Sequence, residues 1–294
     1  MKQYSYFPGC SLKSTAVAYD QSVRAISASL GMELIELKDW NCCGSTAYSS
    51  IDKLESIAIP CRNLALAEER GLDLVTPCTA CYRNFEKVDS HLKLYPFLKP
   101  KLDKVLAAAG LEYHGKVKVR HLVDVLLNDV GVEAIVSKAV NSFHGLKVAI
   151  YYGCLLVRPR ATFDDPENPH SLDGLLESLG AQVVPFPAKG RCCGGSLVIS
   201  NVDLALGLIQ RILDSAHSNE AECIVTVCPL CQLSLDAYQG MVNNKFGTHY
   251  KLPILFLSQL LGTALGMEHK DLGFEKSIVS SEKVLARHLQ EGKR

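Results

Sequence analysis

Along the chain, short apolar runs alternate with longer stretches of helical spacing. Residues 4–7 are β-prone and stop at Pro8-Gly9, residues 15–30 have helical composition closed by Gly31, and Met32 to Leu37 form a second strand-like run. Residues 52–70 carry Leu54, Ile57, Ala58, Leu64, Ala65 and Ala67 in a helical pattern that stops at Gly71. Leu72 to Thr76 then lead into Pro77-Cys78, where a helix begins. Residues 97–110 predict a helix that the second half lacks, and Val117 to Val119 with a helical 121–128 close the first unit. The rhythm restarts at Lys147 to Tyr152. A helix is expected at 171–179, Val183 and Val184 follow as a strand, a helix spans 197–216, and Ile224 to Val227, Ile254 to Phe256 and a helix at 257–265 complete the unit.

Strands alternating with helices predict parallel sheets with crossover helices. The expected fold is therefore α/β, with two similar units related by internal duplication, each a small, mainly parallel sheet flanked by helices. The boundaries fall at residues 1–144, 145–266 and a charged C-terminal tail, 267–294, which either packs on a partner or frays. With 294 residues and 48% hydrophobic content the chain can bury a sizeable core.

The cysteines change the picture. Cys10 is followed after 31 residues by Cys42-Cys43-Gly44, and after 34 more by Cys78 and Cys81 in C-x-x-C. The plan repeats: Cys154, then after 37 residues Cys192-Cys193-Gly194, then after 34 Cys228 and Cys231. Ten of the twelve cysteines belong to the duplicated set. Cys61, amid apolar neighbours on a helix, and Cys223, opening a strand, read as buried small hydrophobes. Every motif cysteine falls just past a strand, in the crevice where open α/β sheets take ligands.

Charge excludes more than it suggests. A formal net charge of zero and a pI near 7.1 give no reason to expect nucleic acid or a membrane surface as partner. No run of 18 apolar residues occurs and the first residues lack a signal-peptide pattern, so the chain reads as cytoplasmic, where thiols stay reduced. Thiolates select zinc, copper(I) or iron-sulfur groups. Structural zinc and an ordinary four-iron cubane each take four cysteines, so five per half leave one over. Either one thiol per site is free to react, or the centre is larger or more open than a cubane and takes all five. A vicinal pair can serve as two ligands only by reaching different metal atoms, which favours a multinuclear centre, with zinc in one or both halves and a disulfide framework as alternatives. Gly44 and Gly194 are expected to let the backbone approach that centre closely.

Basic residues flank the cysteines: Lys13, Arg158, Arg160, Lys189 and Arg191. They are candidates for holding an anionic substrate or steering a partner, Lys13 and Arg158 first, against the plainer reading of a solvated loop face. His121 and His170 have no partner spacing and read as ordinary core or capping residues, and Tyr151-Tyr152 as strand packing. There is no P-loop, no dinucleotide fingerprint and no ferredoxin-type cysteine run; Gly153 and Gly190 are isolated. Electrons must come from a partner.

The cysteine pattern resembles the duplicated cysteine-rich, or CCG, domain of the heterodisulfide reductase B subunit. The likeness covers nearly the whole chain and extends to Asp165-Pro166-Glu167-Asn168-Pro169 and Ser258-Gln259-Leu260-Leu261. It implies two non-cubane [4Fe-4S] clusters, one on Cys10, Cys42, Cys43, Cys78 and Cys81, the other on Cys154, Cys192, Cys193, Cys228 and Cys231. It also implies reductive cleavage of a small disulfide such as that of coenzyme M and coenzyme B, with no catalytic residue apart from the ligands. The implied electron suppliers are two further members of such a complex, its ferredoxin-like iron-sulfur protein and its flavin-containing protein. Two other readings stand beside it: an electron-transfer component of a lactate, glycolate or succinate oxidising complex, and a zinc-binding scaffold.

Overall fold

The computed structural model describes residues 1–45, 48–158 and 164–291. The first sheet contains β1 (Lys2–Tyr6), β2 (Met32–Glu36), β3 (Leu74–Thr76) and β4 (Val119–His121), all parallel, in the order β2-β1-β3-β4. After β5 (Asn141–Phe143), the second sheet contains β6 (Lys147–Tyr151), β7 (Gln182–Val183), β8 (Cys223–Thr226) and β9 (Ile254–Phe256), again parallel, in the order β7-β6-β8-β9. The duplication read from the cysteines is thus a duplication of topology. The central strands β3, β6 and β8 are mostly apolar because helices cover both faces of a parallel sheet; all four residues of β8 are buried.

Three buried clusters hold the molecule together. One lies in the first half and contains Ile57, Leu64, Phe85 and Leu102. A second lies in the other half, around Phe186, Ile209, Leu213 and Leu235. The largest joins the halves, with Tyr4, Tyr19, Leu126, Tyr152, Leu176, Phe256 and Leu260. Tyr19 stacks on Phe256 with centroids 4.0 Å apart, and the Ser22 and Ser258 hydroxyls pair at 2.7 Å. The helices Val17–Ser29 and Leu257–Ala264 supply this seam.

Two expectations need correction. The connection between β8 and β9 carries its own second helix, Gln239–Phe246, after Pro229–Ala237, so the first half's Lys99–Ala108 is not an unmatched addition. The described part of the tail packs back on the chain. The turn His269–Leu272, the helix Glu282–His288 and β10 (Leu289–Glu291) pack on the chain itself, with Leu272 and Leu285 fully buried and β10 antiparallel to β5. The Asp236 carboxylate accepts the backbone N–H groups of Ile278 (2.8 Å) and Val279 (3.0 Å). The anchors are isolated leucines in a charged stretch, a signal too sparse to read as an amphipathic face.

Candidate functional site

In each sheet the loops after three neighbouring strands meet at one edge, and each delivers part of a quintet. Cys10 lies in the first turn of Gly9–Leu12, just past β1; Cys42 and Cys43 occupy the loop past β2; Cys78 caps the helix Thr79–Leu94 past β3, and Cys81 stands in its first turn. The sulfurs are linked as a string of neighbours. Cys42 Sγ lies 3.8 Å from Cys10 Sγ, and hydrogen bonds join Cys42 to Cys43, Cys43 to Cys81, and Cys81 to Cys78. Hydrogen bonds from the Cys42 and Cys81 thiols pull the Cys43 pKa far down, while donating to Cys43 pushes both of those thiols up.

The second quintet occupies the corresponding loops. Cys154 opens the helix Cys154–Val157, Cys192 and Cys193 follow β7, and Cys228 caps Pro229–Ala237 with Cys231 inside its first turn. Cys154 pairs with Cys192, Cys193 with Cys231, and Cys231 with Cys228. The Gly194 and Gly195 N–H groups point at Cys192 and Cys193 Sγ, each at 3.4 Å. Cys192 and Cys228 are both brought down to about 6, by the Cys154 and Cys231 thiols respectively. The thiolate is the form that ligates metal. Among the described residues no three of His, Cys, Asp or Glu form a ready site for a single metal ion.

Glycine has a sharper role than expected. Gly44 (φ +72°) and Gly194 (φ +71°) are required by their backbone conformation and by the next helix: an added Cβ would meet Ile59 Cγ2 at 2.8 Å or Ala205 Cα at 3.1 Å. The glycines that close on sulfur are Gly9 and Gly153, whose Cβ would stand 3.0 Å from Cys81 Sγ and 3.1 Å from Cys231 Sγ. Soft thiolates, five per half, with the backbone pressed against one sulfur in the same place twice, fit an iron-sulfur group.

The two quintets are coupled through the seam. The helix bearing Cys10 packs on that bearing Cys231, and the helix bearing Cys154 on that bearing Cys81. Cys10, Cys42 and Cys192 are exposed and Cys154 is half-buried, whereas Cys43, Cys78, Cys81, Cys193, Cys228 and Cys231 are buried. At the buried ends the Tyr19 hydroxyl donates to Val227 O at 3.2 Å, and His121 Nε2 lies 3.0 Å from Pro77 O and also bonds the Val227 backbone. Pro77 and Val227 directly precede Cys78 and Cys228, so His121 ties the two C-x-x-C loops together. Burial lowers its pKa to about 4, and it is neutral at pH 7. His121 is the buried capping residue expected, its Nδ1 accepting the Val123 N–H at 3.3 Å, while its contact with Pro77 and that of Tyr19 with Val227 join residues far apart along the chain.

The basic residues are mostly committed elsewhere. Lys13 pairs with Glu36 (2.9 Å) and Asp20 (3.6 Å), Arg158 with Glu167 (3.0 Å) and Pro166 O (3.0 Å), and Lys189 with Pro169 O (2.8 Å) and Asp173 (3.4 Å). Arg160 lies outside the described residues. Arg191 lines a cavity of about 630 Å³ beside Cys192, together with Arg211 and Ser215. His170 is exposed, 3.7 Å from Asp164. Cys61 and Cys223 are fully buried, and burial pushes both thiols up.

The fold and its repeated thiol strings define a duplicated cysteine-rich domain protein. The chain belongs to the CCG cysteine-rich domain family, whose model matches residues 4–86 and 148–236. It is 35% identical over 285 residues, covering 96% of this chain and 99% of the relative, to the 8-methylmenaquinol:fumarate reductase membrane anchor subunit of Wolinella succinogenes. It is 32% identical over 292 residues, 98% of this chain and 97% of the relative, to the B subunit of the ferredoxin/F420H2-dependent CoB-CoM heterodisulfide reductase of Methanosarcina acetivorans. A protein of Archaeoglobus profundus that is itself like the heterodisulfide reductase B subunit is 31% identical over 275 residues, 91% of this chain and 92% of that protein. A hypothetical protein of Helicobacter pylori shares the fold, with a TM-score of 0.75 and 15% identity over 95% of this chain; the match spans 52% of the length of that chain. No helix among the described residues is long and apolar enough to cross a membrane.

Proposed function

We propose that the chain is the B-type component of a heterodisulfide-reductase-type complex, holding two iron-sulfur clusters and reducing a small disulfide. Cys10, Cys42, Cys43, Cys78 and Cys81 hold one cluster; Cys154, Cys192, Cys193, Cys228 and Cys231 hold the other. The observation that carries this reading is the recurrence of five cysteines on corresponding loops in two halves that share a core. Clusters of this kind supply electrons singly, so two of them furnish the pair that one sulfur-sulfur bond takes on becoming two thiols, with two protons from solvent.

The chain's own groups bind, shield and orient. Cys10 and Cys154 stand on helices that pack on the Cys231 and Cys81 helices of the opposite half, so the two quintets are neighbours across the seam. Tyr19, Thr79 and His121 close the deep side and keep water from the buried thiols. Neutral His121 brings no fixed charge there. A ferredoxin-like iron-sulfur protein and a flavin-containing protein of the same complex would supply electrons, since the sequence carries neither a ferredoxin-type cysteine run nor a dinucleotide fingerprint.

The likeness to the Wolinella fumarate reductase protein favours a second reading, an electron-transfer component of a fumarate-reducing or succinate-oxidising complex with no disulfide substrate. One experiment separates them. Protein purified anaerobically is assayed for iron and acid-labile sulfide, then for oxidation of a reduced viologen dye by a panel of small disulfides. Turnover lost in Cys43→Ser and Cys193→Ser supports the first reading. Iron without turnover by any disulfide favours the second, and a colourless protein with stoichiometric zinc removes both.

A further inference from the structure

The loops that deliver Cys42 and Cys192 correspond, but the arginines around them are treated differently. In the first half Arg62, on the helix Glu55–Arg70, reaches back to its loop and bonds the Asp39 carboxylate, the Asp39 carbonyl (2.6 Å) and Asn41 Oδ1 (3.2 Å). Its charge is answered from within the chain. In the second half Arg191 takes the place of Asn41, directly before the vicinal cysteines, and Arg211 stands on the matching helix, Val202–Ser218. The two helices match because each meets the glycine of its own vicinal pair, at Ile59 and at Ala205. Arg191 and Arg211 are both exposed, both line the cavity of about 630 Å³ beside Cys192, and neither pairs with a carboxylate among the described residues. Asp214, the acid nearest to Arg211 along the helix, bonds the Tyr250 hydroxyl instead (3.1 Å).

We propose that this cavity binds a small organic anion, its carboxylate or phosphate held by Arg191 and Arg211 and its apolar body laid along Pro187, Leu208 and Ile212. Two like charges lining one hollow repel each other, and an anion between them relieves that repulsion. Guanidinium groups recognise carboxylate and phosphate alike through paired N–H donors. Mainly apolar walls with a few charged groups are the usual make-up of a small-molecule site of about 300–1,000 Å³. That concave, apolar lining favours a small molecule over the acidic surface of a partner protein. The backbone of Arg191 is already fixed, its N–H donating to Ala188 O (3.0 Å) and its carbonyl accepting the Tyr151 hydroxyl (2.6 Å). All the described lining residues belong to the second half, and Cys192 is the one motif cysteine among them, so a bound anion covers that sulfur without entering the seam. The site does not depend on what the quintets hold.

The test is calorimetric titration of the anaerobically purified protein with hexanoate, hexyl phosphate and, as the uncharged counterpart, hexanamide. The wild type is compared with Arg191→Gln, Arg211→Gln, Ser215→Glu and Arg287→Gln, each checked for folding by circular dichroism. At least one of the two anions should bind the wild type about tenfold tighter than hexanamide, and the tighter of the pair tells carboxylate from phosphate. Arg191→Gln and Arg211→Gln should each weaken that anion about tenfold and leave hexanamide unchanged. Ser215→Glu sets a carboxylate one helical turn from Arg211, much as Asp39 stands against Arg62, and should close the site. Arg287→Gln removes an equal charge from the tail and should change nothing. The proposal is overturned if neither anion binds better than hexanamide, if either cavity arginine can be replaced without loss, or if Arg287→Gln weakens binding as much as they do. Anion binding that follows this pattern in a protein without iron or disulfide turnover overturns the proposed function and upholds this site.

Discussion

Replacing Gly9 by alanine puts a methyl group against a buried sulfur of the first quintet. Two costs add. At φ +76° an L residue is in the left-handed region, worth about 1 kcal/mol of strain or somewhat more. The new Cβ would also stand 3.0 Å from Cys81 Sγ, and that side chain is buried and hydrogen-bonded to Cys43 and Cys78, so it has nowhere to retreat. Overpacking of this kind costs about 1–2 kcal/mol more. Gly110 provides the control, since its φ is +70° and an added Cβ meets nothing within 4 Å. Gly110→Ala therefore isolates the strain. For a chain of 294 residues the excess predicts a Tm for Gly9→Ala about 2–3 °C below that of Gly110→Ala. The assay is thermal unfolding under anaerobic conditions, read with iron per chain, and iron should fall only in Gly9→Ala. Equal Tm values and equal iron in the two variants would refute the claim that backbone contact with sulfur is what glycine provides here.

Three further outcomes follow from the seam and the tail. His121 is held neutral with its pKa depressed from 6.5 to about 4 by burial, so the unfolded chain binds the extra proton first. Stability from this group is complete above pH 6.5 and drains away as pH falls toward 4, approaching about 3 kcal/mol in total; the pH dependence of denaturant unfolding should be shallower in His121→Asn across that window. Asp236→Ala strips the acceptor from the N–H groups of Ile278 and Val279 and should cost about 2–3 kcal/mol, with faster amide exchange at those two positions as the local reading. Unchanged exchange there would mean the tail is held by its leucines alone. Tyr19→Phe removes one hydrogen bond to Val227 O and should cost about 1 kcal/mol, leaving the stack on Phe256 intact; a loss above about 3 kcal/mol would show that the ring itself had shifted.

The chain's local pattern was enough to place most strands and helices and to divide the molecule in two. Buried parallel strands are continuous apolar runs, and Gly31 and Gly71 mark helix ends because both adopt positive φ. Cysteine spacing likewise announced both quintets, since each strand ends where its loop must present a thiol. Tertiary structure alone decided the rest. Which sulfurs are neighbours, that a Cβ at Gly9 or Gly153 would press on a sulfur whereas one at Gly44 or Gly194 would meet a helix, and that the tail closes on β5 all depend on pairs distant in sequence. Such contacts leave no periodicity, because a residue's partner across a seam is fixed by how two finished units pack, and the spacing along the chain carries no trace of it.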